Sequence, residues 1–335
     1  MRKMSKQIVV IGGGAAGMMA AISAAERGAS VRLLEPNERL GKKLNITGKG
    51  RCNVTNNCPL EELMAHIPRN GRFLYSALTR FTSADTMTFF REIGVPLKTE
   101  RGSRVFPQSD CAFDVSGALK RRMERLGVRW EHDRAVSIIA GDGTVCGVKG
   151  EKADYPAQGV ILATGGLSYP GTGSTGDGYR MASELGHTIV EPQGSLVPLV
   201  SDDPCCAQMQ GLALKNVQVT VLNEKGKAVF SEFGEMLFTH FGVSGPIILT
   251  LSRKAARLLD DGYFVELIIN LKPALSREQL DLRILRDFEE FQRKNLKNAM
   301  HKLLPGKLIE PVLDNAYLDP ESMVNTVTRE ERQRL

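Results

Sequence analysis

The feature that most constrains this chain is a glycine turn set between a strand and a helix. Gln7 to Ile11 is a short β-branched run that reads as a buried strand. Gly12-Gly13-Gly14-Ala15-Ala16-Gly17 breaks it, and the alanine-rich stretch from Ala15 to Arg27 reads as a helix ended by Gly28. Ser30 to Leu34 reads as a second strand, closed by Glu35-Pro36. Strand, glycine turn, helix and strand make a βαβ unit, with parallel strands and a right-handed crossover. Each glycine has a task in such a turn. Gly12 permits the tight bend, Gly14 lets the backbone approach a pyrophosphate, and Gly17 lets the helix pack close to the strand. The N–H groups at Ala15 and Ala16 and the positive end of the helix dipole face the phosphates. Glu35, 18 residues after Gly17, can accept hydrogen bonds from ribose hydroxyls. Its carboxylate would repel a 2′-phosphate, so the expected ligand is a dinucleotide without one.

A second element runs from Gly41 to Asn56 and carries Lys42, Lys43, Thr47, Gly48, Arg51, Cys52 and Asn53. Gly48-Lys49 looks like the end of a Walker A loop, but Gly41 lies too far upstream and Gly50 stands where Ser or Thr should hold Mg²⁺. A triphosphate site is therefore not expected. Glycines for close approach, amides and hydroxyls for a ring edge, and cations for a pyrophosphate or a flavin anion suit FAD. Cys52 and Cys58 have five residues between them. Placed on a helix, that spacing misaligns the sulfurs, so a redox disulfide is not expected.

Gly159 to Ala163 reads as another buried strand, followed by Thr164-Gly165-Gly166. Gly171 to Gly176 repeats the G-x-G-x-x-G spelling, but Leu167-Ser-Tyr-Pro separates it from the strand. We read Thr164 to Gly178 as one loop returning to the same FAD, with Thr164, Gly165, Gly166, Gly176 and Asp177 as contacts. Pro36 and Val136 complete the candidate cofactor-binding set.

Charge and cysteine usage narrow the class further. Residues 1–193 carry 26 Lys and Arg against 19 Asp and Glu, so the net +6 sits in the N-terminal half. Its densest part, Arg39, Lys42, Lys43, Lys49 and Arg51, has no acid between Glu38 and Glu61. Cations packed among glycines, without interleaved aromatics, point to a small phosphorylated ligand rather than to nucleic acid. The six cysteines have no C-x-x-C spacing, so no metal site is expected. No apolar run is long enough for a bilayer or a signal peptide, which gives a cytoplasmic reading with no membrane partner.

Further along, Ser83 to Ile93, Cys111 to Leu126 and Asp177 to Leu185 read as helices, and Gly127 to Gly159 as a three-stranded meander. The texture changes near Gly194. Asn216 to Leu222 and Lys227 to Phe233 form a hairpin pattern. Pro246 to Leu259 and Arg277 to Leu304 read as helices around a strand at Tyr263 to Leu271. The expected division is residues 1–193, an FAD-binding domain, and 194–335, a substrate-side domain. Thr328-Arg-Glu-Glu331 has capping-box spacing with few residues after it.

Taken together, Gly12–Gly17, Gly41–Asn56, Phe106-Pro-Gln-Ser, Ala163–Pro170, Gly173–Gly178, Leu196-Val-Pro-Leu199 and Phe238–Pro246 resemble the BaiN-like (YhiN-like) flavoproteins, also called the aminoacetone oxidase family. The resemblance runs over essentially the whole chain. It implies an α/β fold, in which an FAD-binding Rossmann domain of the two-dinucleotide-binding type carries an inserted β-barrel-plus-helical domain. It implies an FAD-dependent oxidoreductase passing a hydride between flavin N5 and a small organic substrate, with NAD(P)H a candidate donor. A flavin-binding protein without turnover, partnered by nucleic acid, is the alternative. Members of that family return to the FAD domain with a last strand and glycine turn. No such segment follows residue 310, so the expectation is a chain that lacks it. Arg104, Tyr169 and His240 are candidates for the substrate side, none of them assigned as catalytic, and a core role for His240 is at least as good a reading.

Overall fold

A computed structural model describes residues 5–67 and 70–335 of the chain. They divide into two compact units, residues 1–191 and 192–335.

The first unit begins with β1 (Gln7–Ile11), α1 (Ala15–Glu26) and β2 (Ser30–Leu34). A 3₁₀ segment (Leu44–Gly50) and β3 (Thr55–Asn56) follow, then α2 (Leu60–Ala65), α3 (Gly71–Arg80), α4 (Ser83–Glu92), β4 (Leu97–Glu100), β5 (Arg104–Pro107) and α5 (Ala112–Arg125). The unit ends with β6 (Arg129–Glu131), β7 (Ala135–Gly141), β8 (Thr144–Gly150), β9 (Asp154–Pro156), β10 (Gly159–Leu162) and α6 (Asp177–Glu184). Four strands form a parallel sheet in the order β10-β1-β2-β6. β1 is its centre because its residues are apolar on both faces. Val10 packs with Met18, Ile22, Leu33 and Leu119 under α1 and α5, while Val9 and Ile11 face Val148, Tyr155 and Met181. A central strand flanked on both faces reads as a continuous apolar run, as this one does. The expected meander is the antiparallel sheet β7-β8-β9, and β3-β5-β4 is a third small sheet.

α4 starts at a full capping box, in which the Thr82 side chain accepts from the Asp85 N–H and the Asp85 carboxylate accepts from the Thr82 N–H. α2, α3 and the β4–β5 hairpin were not foreseen, although Phe73, Leu74, Ala77 and Leu78 of α3 stand at helical spacing. α3 buries none of its residues and leaves Phe73 86% exposed.

The second unit contains β11 (Leu199–Val200), α7 (Cys205–Gln208), β12 (Ala213–Leu222), β13 (Ala228–Thr239), β14 (Gly242–Ser244), α8 (Pro246–Asp260) and β15 (Glu266–Asn270). α9 (Arg277–Glu290), α10 (Leu296–Ala299), α11 (Gly306–Asn315) and α12 (Arg329–Arg334) complete it. Its strands form one antiparallel sheet in the order β11-β14-β13-β12-β15. Val217, Val219 and Val221, alternate residues of β12, pack on Ile248 and Leu251 of α8 and on Leu308 and Leu313 of α11.

One sequence expectation is corrected here. Arg277 to Leu304 is not one helix, because α9 stops at Glu290 and the chain restarts at Asn295, the N-cap of α10. The capping box at Thr328 forms as expected. Its short helix is held by Arg332, which pairs with Asp281 of α9 at 2.6 Å. The parallel sheet draws its four strands from residues 7–162, and the last described strand, β15, belongs to the second unit. No helix among the described residues is long and apolar enough to cross a membrane.

Candidate functional site

The first unit holds a cavity of about 610 Å³ at the C-terminal ends of β1, β2 and β10. Parallel α/β sheets bind ligands beyond these strand ends. The Gly12–Ala16 turn forms one wall. Gly12 has φ +106°, and a Cβ there would meet the Ala163 carbonyl oxygen at 2.4 Å, so only glycine lets β1 and β10 close up behind the turn. Gly17 packs against the same turn and is buried. Gly14 is the reverse case: a Cβ built there meets nothing within 4 Å, because it would project into open space.

Gly14 is also the N-cap of α1. It provides no side-chain cap, and the first turn of the helix holds no acid. The leading N–H groups of a 12-residue helix are left for a ligand, with exposed Ala15 and Ala16 beside them.

Glu35 lies at the end of β2 and is only 8% exposed. Its carboxylate accepts from the Gly13 N–H at 2.7 Å, from the Asn37 N–H at 2.8 Å and from the Asn37 side-chain amide at 2.6 Å. Asn37 also reaches the Thr172 carbonyl, and Lys42 donates to the Asn37 side chain. Lys43 donates to the Ser168 carbonyl at 2.7 Å and to the Ser174 hydroxyl at 2.6 Å. The 41–53 loop is thereby fastened to the loop after β10. That second loop places Thr164, Gly165, Thr172, Gly173, Ser174 and Asp177 in the wall of the same cavity. The Asp177 carboxylate is held by Arg134 at 3.0 Å and by the Thr175 hydroxyl at 3.1 Å.

The remaining wall is apolar, built from Cys52, Val54, Phe81, Phe90, Val115 and Leu119. Cys52 takes a left-handed conformation, φ +59°, with its N–H on the Thr47 carbonyl. Burial pushes its thiol up, against a hydrogen bond with Thr47 that lowers it, so the sulfur is a wall atom rather than a ready thiolate. Cys52 and Cys58 flank β3 on irregular chain, so the helical geometry assumed for them does not occur, and both are free thiols.

Of the residues singled out from the sequence, Gly12, Gly14, Ala15, Ala16, Glu35, Pro36, Lys42, Lys43, Thr47, Cys52, Asn53, Thr164, Gly165 and Asp177 line this cavity. Gly17, Gly48, Arg51, Val136, Gly166 and Gly176 lie outside its wall. Arg51 instead pairs with Glu100 at 2.5 Å and Asp110 at 2.6 Å and stacks over Phe106. Beside Val136, it is Arg134 and Ala135 that face the cavity. Arg104 and Tyr169 are exposed and do not line it. His240 is exposed against Phe241 in the second unit, which corrects the core reading for it. Sequence reasoning missed Asn37, Phe81, Phe90 and Ser174. Asn37 was within reach, two residues past Glu35, whereas the two phenylalanines sit in no motif.

The donor set suits FAD. An uncapped helix N-terminus and empty space over Gly14 match a pyrophosphate, a buried acid at the end of β2 matches a ribose, and the apolar wall matches a ring system.

Comparison with known proteins agrees with this geometry. Residues 6–250 match the model of the HI0933-like protein Rossmann domain, and residues 193–335 that of the HI0933-like protein barrel and H2TH domain. The chain is 30% identical to the 3-dehydro-bile acid delta(4,6)-reductase of Clostridium scindens over 93% of its own length and 76% of that protein. It is 30% identical to the ribosomal RNA dihydrouridine synthase of Haemophilus influenzae, over 95% and 76%. Among solved structures, a 3-ketosteroid-delta4-(5alpha)-dehydrogenase from Rhodococcus jostii RHA1 overlays with TM-score 0.46 at 18% identity, over 68% of each chain.

Proposed function

The chain belongs to the HI0933-like family and is an FAD-dependent oxidoreductase, and from that premise we propose that it reduces a carbon–carbon double bond conjugated to a carbonyl in a small organic substrate, with NAD(P)H as electron donor. Bound FAD supplies the two-electron carrier, exchanging hydride at N5 of its ring system. In this reading the N–H groups of the Gly12–Ala16 turn hold the pyrophosphate, and Glu35, steadied by Asn37, orients the adenosine ribose. Lys42 and Lys43 offset the anionic charge, and the wall of Cys52, Val54, Phe81 and Phe90 keeps water from the ring. The same reading makes residues 1–193 the FAD-binding domain and 194–335 the substrate side, in a cytoplasmic protein whose six cysteines are free.

The observation that carries the cofactor assignment is the uncapped α1 terminus opening onto empty space at Gly14. The substrate class is supported by the relatives' names. A delta(4,6)-reductase and a dihydrouridine synthase both describe hydrogen added across a carbon–carbon double bond. The test is anaerobic titration of the holoenzyme with NADH and with NADPH, followed by a conjugated dienone steroid and by cyclohexenone. Reduction of the flavin by one nucleotide and reoxidation by an enone support the reading; a reduced flavin that no enone reoxidises overturns it.

A second reading, a uracil base within RNA, draws on the dihydrouridine synthases of Haemophilus influenzae and Escherichia coli and on the positive charge of residues 1–193. It requires RNA binding that weakens steeply with salt and dihydrouridine formation in an unmodified transcript.

A further inference from the structure

The second unit has a cavity of its own, about 630 Å³, within the size range of small-molecule sites. Its position follows from the sheet. β11 and β15 are the two edge strands of the five-stranded sheet and are not paired with each other, yet both line this one cavity. The sheet therefore curls until its edges flank a gap, and Leu308, Pro311 and Val312 of α11 lie along that gap. The floor comes from Phe238 of β13, Val243 of β14 and Leu267 and Ile269 of β15. None of these residues lines the flavin cavity.

The polar part of the lining has one sign of charge. It holds Asp202, Asp203 and Glu266 and no Lys, Arg or His. The cavity of the first unit, by contrast, is lined by Lys42, Lys43 and Arg134 as well as Glu35 and Asp177. Asp202 and Asp203 sit on a constrained turn: the Asp203 N–H donates to the Ser201 hydroxyl, and the Asp203 carboxylate accepts from the Cys205 N–H at 2.9 Å. The Asp203 carboxyl is held below its usual range by its hydrogen bonds with Cys205, so it is ionised at neutral pH. An apolar floor with carboxylates at its edge repels anions and gives a cation a charge partner that a neutral body of the same shape does not use.

We propose that this cavity binds an amphipathic organic cation, with its apolar body on Phe238, Val243 and Leu267 and its ammonium group beside Asp202 and Asp203. Its lining shares no residue with the flavin cavity, and its ligand carries the opposite charge.

The FAD-loaded protein is titrated by calorimetry with adamantylamine, adamantanol and adamantanecarboxylate, which share one rigid body and differ in charge. Adamantylamine should bind at one site, tighter than the carboxylate by about 10-fold or more, the factor that roughly 1.4 kcal/mol of charge interaction provides. Two variants separate charge from shape. Asp202→Asn with Asp203→Asn should bring the amine and the alcohol to within about threefold of each other, as expected when the local charge interaction is gone. Leu259→Trp fills the cavity from the end of α8, where Leu259 is 51% exposed, and should remove amine binding while leaving the flavin spectrum and the melting temperature unchanged. Absent amine binding, equal binding of amine and carboxylate, or amine binding untouched by Leu259→Trp would each overturn the proposal. None of these outcomes depends on which substrate the flavin reduces.

Discussion

The Glu35 carboxylate accepts a hydrogen bond from the Gly13 N–H at 2.7 Å, which fastens the end of β2 to the turn that follows β1. Both residues are buried, so the bond is shielded from water, and the Asn37 amide occupies the other carboxylate oxygen. Glu35→Ala strands the Gly13 N–H as well as removing the proposed ribose contact. It should therefore destabilise even the flavin-free protein, by about 1.5–3 kcal/mol, the scale of a lost hydrogen bond to a charged group. Urea unfolding of the flavin-free protein measures this. A loss below about 0.5 kcal/mol would show that the bond contributes nothing to the turn.

Gly14 and Gly17 should separate cofactor binding from folding. A Cβ at Gly17 would lie 1.8 Å from the Gly12 carbonyl oxygen, whereas one at Gly14 meets open space at an ordinary φ of −76°. Gly17→Ala should lower the stability of the flavin-free protein by several kcal/mol, on the order of 2–4. Gly14→Val should leave it within about 1 kcal/mol yet abolish flavin retention. Parallel melts and bound-flavin spectra of the two variants give the comparison. Normal flavin content in Gly14→Val contradicts the assignment of the turn.

Lys43 bridges two loops more than a hundred residues apart in sequence. Lys43→Met should free the 168–174 loop and speed FAD release by about 10-fold, the effect of losing roughly 1.4 kcal/mol of charge-assisted bonding. Flavin fluorescence recovery on dilution reads this rate. An unchanged rate would reduce Lys43 to a surface charge.

The Asp133–Tyr155 pair should shape stability at both ends of the pH scale. Burial raises the Asp133 carboxyl, but hydrogen bonds from Tyr155 and from the N–H groups of Lys152, Arg134 and Ala153 more than offset it, and it is held below its ordinary 3.8. Its contribution is complete above that value and is lost as pH falls through the lower folded one. Burial first, then the bond to Asp133, pushes Tyr155 up to about 12 from 10.0. The folded state favours the neutral phenol, so stability should also decline as pH rises from 10 towards about 12. Tyr155→Phe should remove the alkaline decline. An unchanged alkaline limb in that variant contradicts the pairing.

The sequence made the parallel core and most of the candidate site legible. β1, α1 and β2 could be read because a buried parallel strand is apolar throughout and a dinucleotide turn needs glycine at fixed offsets. The Lys43 side of the site followed from composition alone, as cations among glycines. What stayed hidden was pairing at long range. Nothing in the spelling of Arg51 says that Glu100 and Asp110 take it away from the cavity, or that Phe81 and Phe90 arrive in the wall from a helical region without a motif. The break after Glu290 was missed because Phe291-Gln-Arg-Lys-Asn295 contains neither Gly nor Pro, and the N-cap at Asn295 looks like any polar helix residue.

The most direct measurement is an anaerobic titration of the purified protein with NADH and with NADPH, read on the visible flavin band. The expected result is a band from bound FAD that bleaches with one two-electron equivalent per chain and returns when a conjugated enone is added. A protein that retains no FAD after reconstitution, or holds FAD that no enone reoxidises, would contradict it.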